Sequence, residues 1–264
     1  MTPGLQCAAM RFRRAVPLFA VLAFAVLPAC GSSKKSPEKN PTIEAGKQIR
    51  LADSYFRAGR VSESLDIIEK AIAENPKNAS MRNFAGQLNF YAGRHEEAEK
   101  QYNEALKIDA YMTDARNNLG ALYDATGRKE LAEKEFKKAL ADTAYPTIEK
   151  VHLNLGLLYA SEGRNDEAIA EFRRGVEINP KFWRGHYELA SALDKAGRLE
   201  EALREYEVAQ PDYKANAEYQ YRLGLAYMKD KQPGKAREHL TRCQELAPGS
   251  ENASRALDLL KMLP

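Results

Sequence analysis

Cysteine is nearly absent. The chain holds three, Cys7, Cys30 and Cys243, and an odd, widely spaced set builds no disulfide framework. Charge of one sign is lacking as well. Lys and Arg number 40 against 37 Asp and Glu, and removing Arg11, Arg13 and Arg14 from the acid-free first 29 residues leaves 37 against 37. A balanced remainder excludes a nucleic-acid or anionic-membrane partner gripped by bulk charge. β-branched runs are scarce, which disfavours sheet. The apolar run from Ala15 to Leu27 is too short to span a bilayer comfortably.

Catalytic and metal motifs are missing too. The four histidines are His95, His152, His186 and His239. His152 and His186 lie 34 residues apart, but no acid or cysteine at helical spacing stands beside both to complete a metal set. The acidic doublets Glu96-Glu97 and Glu200-Glu201 fall where helices begin and complement the helix dipole. The expectation is a chain with no catalytic residue, no metal and no cofactor, and so not an enzyme.

What the chain does contain is a helical vocabulary. Ala, Leu, Glu, Lys and Arg dominate, within 44% hydrophobic and 29% charged residues. Both fractions are ordinary for a globular protein, and the residue choice favours helix. At the N-terminus the basic cluster Arg11-Arg14 precedes the apolar run, and Leu27-Pro28-Ala29-Cys30-Gly31 follows. This order resembles a bacterial lipobox, whether Met1 or Met10 is the start. The resemblance implies that residues 1–29 are a lipoprotein signal and that Cys30 is lipidated. Gly31 stands where an inner-membrane retention signal would carry Asp, which implies the outer membrane, facing the periplasm. Residues 30–44 are polar and hold two prolines, so they read as a tether.

From residue 45 onward the sequence repeats itself. Gly-Arg pairs occur at Gly59, Gly93, Gly127, Gly163 and Gly197, spaced by 34, 34, 36 and 34 residues, and a sixth register falls at Lys231-Gln232. Small residues recur before each turn (Ala52, Gly86, Gly120, Gly156, Ala190, Gly224) and after it (Ser64, Ala98, Ala132, Ala168, Ala202, Ala236). Large ones recur between helices at Ile68, Tyr102, Phe136, Phe172, Tyr206 and Leu240. Large against small is the pattern of two helices packed closely. Cys243 occupies a place where other repeats carry Ala or Gly, which makes it a small buried residue. The turn glycines suit a left-handed helix end, and Asn165 is placed to cap the helix after its turn.

A 34-residue helix-turn-helix period resembles the tetratricopeptide repeat. The predicted fold is all-α: a right-handed α-solenoid of six repeats (45–78, 79–112, 113–148, 149–182, 183–216 and 217–250), sealed by a capping helix over 251–264. A two-residue insertion lies near Asp142 to Thr147. In this family the first helix of each repeat lines the concave face. Counting along those helices places Phe56, Asn83, Phe90, Tyr91, Asn117, Asn118, Asn154, Leu157, Tyr187, Tyr221, Leu225 and Met228 on it. Aromatics with interspersed amides suit a protein partner, presented as a peptide or an amphipathic helix. Relatives that clamp a C-terminal carboxylate carry Lys just before such an Asn. Here Asn117 or Leu153 takes that place, so the clamp is incomplete.

Lipobox and six repeats together resemble the type IV pilus pilotins. That resemblance implies an outer-membrane lipoprotein that helps secretin subunits assemble. The alternative is a repeat adaptor for outer-membrane barrel assembly or for cell-wall enzymes.

Overall fold

A computed structural model describes residues 41–264. The signal segment, Cys30 and most of the tether lie outside the described residues. Thirteen helices follow one another, α1 (Pro41–Arg57), α2 (Val61–Glu74), α3 (Ala79–Tyr91), α4 (His95–Ile108), α5 (Thr113–Ala125), α6 (Lys129–Ala139), α7 (Ile148–Ser161), α8 (Asn165–Ile178), α9 (Trp183–Lys195), α10 (Leu199–Tyr213), α11 (Ala217–Lys229), α12 (Pro233–Leu246) and α13 (Glu251–Met262). They form an all-α solenoid of tetratricopeptide type. Composition placed residues 41–44 in the tether. They are instead the first turn of α1, where a proline at the first helical position forfeits no hydrogen bond.

The turn inside every repeat is one device used six times. Gly59, Gly93, Gly127, Gly163 and Gly197 sit at φ between 74 and 76. The next residue's N–H then reaches back five residues, as in Arg94 to the Asn89 carbonyl at 2.8 Å and Arg164 to the Tyr159 carbonyl at 2.9 Å. That bond closes the first helix in a Schellman motif. The sixth turn keeps it without glycine. Lys231 holds φ 57, Gln232 still donates to the Tyr227 carbonyl at 2.9 Å, and Pro233 opens α12. A side chain in the left-handed region carries a Cβ penalty of ~1–2 kcal/mol, offset in part by the entropy that glycine adds to the unfolded chain. Lys231→Gly is therefore expected to raise stability by up to ~1 kcal/mol. A thermal melt that moved downward would contradict this.

Asn165 does not cap α8. It is the first residue inside the helix, and Arg164 occupies the cap position without a side-chain bond to the backbone. The same holds for Arg60, Arg94, Arg128 and Arg198. The turn fixes the arginine's backbone, so acids in the first turn, such as Asp166 and Glu167, meet the helix dipole instead.

Small and large residues interlock as their spacing implied. An added Cβ at Gly86, Gly120 or Gly156 would fall 2.5 to 2.7 Å from the ring of Tyr102, Phe136 or Phe172. Leu240 fills the same role over Gly224. Cys243 is fully buried beside Leu240 and Ala256 of the closing helix. First helices touch the first helices of the next repeat, α1 on α3, α3 on α5, α5 on α7 and α7 on α9, while no pair of second helices meets to that extent among the described residues. The first helices therefore lie on the inner side of the stack.

Candidate partner-binding groove

Helical periodicity puts three or four residues of each first helix on the inner wall. Neighbouring repeats meet there with a one-residue stagger. Asn118 of α5 donates Nδ2–H to Asn83 Oδ1 of α3 at 2.9 Å. Asn154 of α7 donates in the same way to Asn117 Oδ1 of α5 at 2.9 Å. The amides predicted to face a ligand thus pair with each other first, as two rungs sharing α5.

The aromatics divide into two groups. Phe56 and Tyr91 meet edge to face with ring centres 4.8 Å apart, and Tyr91 is 69% exposed. Phe90 and Leu157 are half-buried against the main core. Tyr187, by contrast, stacks on Tyr213 with centres 4.8 Å apart and belongs to a cluster with Tyr206 and Tyr219. Burial raises its phenol above the ordinary range. Tyr221 and Met228 pack against the Leu240, Cys243 and Ala256 cluster at the closing helix. Leu225 is half-buried. The structure therefore brings Asn83, Asn117, Asn118 and Asn154 together, and Phe56 with Tyr91. Tyr221 and Met228 lie at the far end.

Sequence reasoning missed Glu188 and Arg222. They stand 34 and 68 residues after Asn154, the same place in repeats five and six, so the period itself pointed to them. Arg222 bonds Ser191 Oγ at 3.0 Å and Glu218 at 2.7 Å. Glu188 is half-buried, and that burial raises its carboxyl, against the pull of Arg184 and Arg222. Tyr213 was also missed. It ends α10 and has no counterpart in the other repeats.

The histidines have structural work. His152 Nδ1 lies 2.7 Å from Glu171, and His186 Nδ1 lies 2.6 Å from Glu205. Each pair ties the two helices of one repeat at the place where Arg116 meets Glu135 at 3.2 Å. No metal-binding group of three His, Cys, Asp or Glu occurs among the described residues.

Known proteins share this architecture. Profiles described as "Tetratricopeptide repeat" match residues 49–114, 113–141, 159–225 and 217–250, together more than half of the chain. The chain belongs to the tetratricopeptide-repeat family. No curated protein matches the sequence. Among solved structures, Pseudomonas aeruginosa PilF superposes with a TM-score of 0.76 at 21% identity, covering 84% of this chain and 100% of PilF. PilW, described as a widely conserved type IV pilus biogenesis factor, gives 0.72 at 25% identity, covering 81% of this chain and 98% of PilW. YrrB, described as having an unusual peptide-binding site, gives 0.56 at 24%, covering 72% of this chain and 97% of YrrB. Tetratricopeptide repeats are generally non-enzymatic scaffolds that bind protein partners or peptides.

The Arg of the Gly-Arg turn ties neighbouring repeats together. Arg164 lies over the Tyr159 ring at 3.9 Å and reaches Glu133 of the preceding repeat at 2.8 Å. Tyr159 donates to the same carboxylate at 3.0 Å. Arg128, Tyr123 and Glu99 repeat the arrangement one unit earlier. Repeat two breaks it. Asn89 takes the ring's place, and its buried Oδ1 has no partner among the described residues.

Hydrogen bonds from Arg164 pull the Glu133 carboxyl down to about 2 from an ordinary 4.5. A depressed acid contributes stability that is complete above its unfolded value and is lost as pH falls through the folded one. This contribution should accordingly fade between about pH 4.5 and pH 2. Glu133→Gln is expected to lower stability at pH 7 and to flatten that stretch of the acid-melting curve. An acid limb as steep as the wild type's would count against it.

Proposed function

We propose that this chain is a lipid-anchored outer-membrane scaffold that holds a protein partner in its first-helix groove, and that it assists secretin assembly for type IV pili as a pilotin. The observation that carries the pilus reading is the likeness to PilW, matched over 98% of its length at 25% identity. The lipobox-like Leu27-Pro28-Ala29-Cys30-Gly31 supports the anchor, and PilF supports the fold. Exposed Tyr91 on half-buried Phe56, with the amide rungs, supplies a surface for a partner chain.

The test is a strain of the native host lacking this protein. Heat-resistant secretin multimers should be lost, monomer should accumulate, and surface pili should disappear. Unchanged multimers would remove the pilus role and leave an adaptor role, for barrel assembly or cell-wall enzymes, in its place.

A further inference from the structure

In a solenoid each first helix is covered on one side by the repeat before it. α1 has no repeat before it among the described residues. Over residues 44–57 it exposes five side chains, Lys47, Arg50, Leu51, Ser54 and Arg57, where α3, α5, α7, α9 and α11 expose two or three each. Steps of three, one, three and three residues put the five on one helical face. Three of them are cations and none is an acid. Glu44 and Asp53 lie half-buried on the flanks, where they meet Lys47 at 3.5 Å and Arg57 at 2.8 Å. Surface pairs of this kind hold weakly. The Arg50 guanidinium lies back along the helix, 3.3 Å from where a Cβ on Gly46 would stand, and is joined to no acid among the described residues. α2 carries the opposite sign: its exposed charges are Glu63, Asp66, Glu69 and Glu74 against Lys70 alone. The whole chain is nearly balanced in charge, but repeat one separates the signs between its two helices.

An uncovered first helix suits either a second copy stacked end to end or a surface. End-to-end stacking would bring α13 onto α1. α13 exposes Glu251 and Asp258 against Arg255 and Lys261, so it brings no excess of acid to the basic face. A membrane supplies that excess. Cys30 stands eleven residues before Pro41, where α1 begins, and eleven residues fully extended reach roughly 40 Å. α1 is the helix that this length of chain keeps near the lipid holding Cys30. Residues 31–40 add Lys34, Lys35 and Lys39 against Glu38. Three cations on a helix bind an anionic surface only weakly by themselves. On a short tether they need only orient a protein already held there, because the link makes the local concentration high.

We infer that the outer face of α1, through Lys47, Arg50 and Arg57, lies on the anionic phospholipid headgroups of the membrane that holds Cys30. Phosphate oxygens accept from the guanidinium and ammonium groups. Leu51, 46% exposed, meets the edge of the acyl layer, and the acidic face of α2 turns away from the lipid. This rests on the lipid-anchor reading and goes beyond it by naming the face that meets the membrane.

The test uses the lipidated protein purified from host membranes, in nanodiscs of phosphatidylcholine alone or with about a third phosphatidylglycerol. Lysines are acetylated with a water-soluble reagent, and the rate at each is read by mass spectrometry. Lys47 should react at least about fivefold more slowly in the anionic discs than in the neutral ones. Lys70 on α2 and Lys134 on α6 should react equally in both. Salt at roughly 0.5 M screens such contacts and should remove the difference at Lys47. Arg50→Glu with Arg57→Glu should remove it too, with helicity unchanged by circular dichroism. Equal Lys47 rates in the two discs overturn the inference and leave the anchor standing. Slowing of Lys47 in neutral discs that grows with the number of copies per disc puts a second copy on α1 and also overturns it. Protein that stays with neither disc removes the anchor, and the inference with it.

Discussion

Gly156→Val is expected to lower the melting temperature by about 6–12 °C, through a loss of ~3 kcal/mol. Gly156 faces Phe172 across the helix pair of repeat four, and even a bare Cβ there would stand 2.5 Å from the ring. The ring cannot retreat far. Phe172 is 2% exposed and sits in the close-packed core formed with Val151, Leu155 and Ala168. Overpacking of this kind forces rotamers and backbone apart. Helix propensity works the other way, since glycine is the poorer helix former by up to ~1 kcal/mol. Packing should win because the obstruction is a ring body and not the end of a flexible chain. Gly156→Ala supplies the graded control. Repeat five already carries Ala190 against Tyr206, so alanine should cost less than valine. A melt of Gly156→Val at or above the wild-type temperature would show that the ring swings aside and that the small-residue rule is not steric.

Cys30→Ala is expected to move the protein wholly from the membrane to the soluble fraction or to leave it as an uncleaved precursor. Fatty-acid labelling should vanish with it. No helix among the described residues is long and apolar enough to cross a membrane; on the proposed anchoring, acyl chains at Cys30 are the attachment. The repeats should still fold, because the described core clusters are built from Ala45 onward. Circular dichroism of the soluble variant checks this. Separately, with Gly31 after the cysteine the wild type is expected in the outer membrane, and density fractionation that placed it in the inner membrane would contradict that part. Membrane retention of Cys30→Ala would sink the anchor itself.

Groove variants need choosing by packing as well as by facing. Tyr187 faces inward by count, but its stack on Tyr213 and its contacts with Tyr206 and Tyr219 make its loss a matter of fold. Tyr91 has a single described ring contact, with Phe56. Its removal therefore tests binding with less disturbance.

The sequence by itself determined what recurs within one repeat. The left-handed turns, the glycines under Tyr102, Phe136 and Phe172, and the left-handed backbone at Lys231 were all legible. These contacts join residues about 16 apart through one fixed turn, so a 34-residue period records them directly. Tertiary structure decided what passes between repeats. The offset by which Asn117 meets Asn154 and not Leu153, or Asn118 meets Asn83, is set by how neighbouring first helices slide against each other. That slide depends on the summed packing of many side chains. No spacing in the chain encodes it. For the same reason the reach of Arg164 to Glu133, and the insertion of Tyr213 beside Tyr187, could not be read from the period. The amides could be counted onto the inner wall from sequence alone. Only the packed helices decided that they bond in pairs.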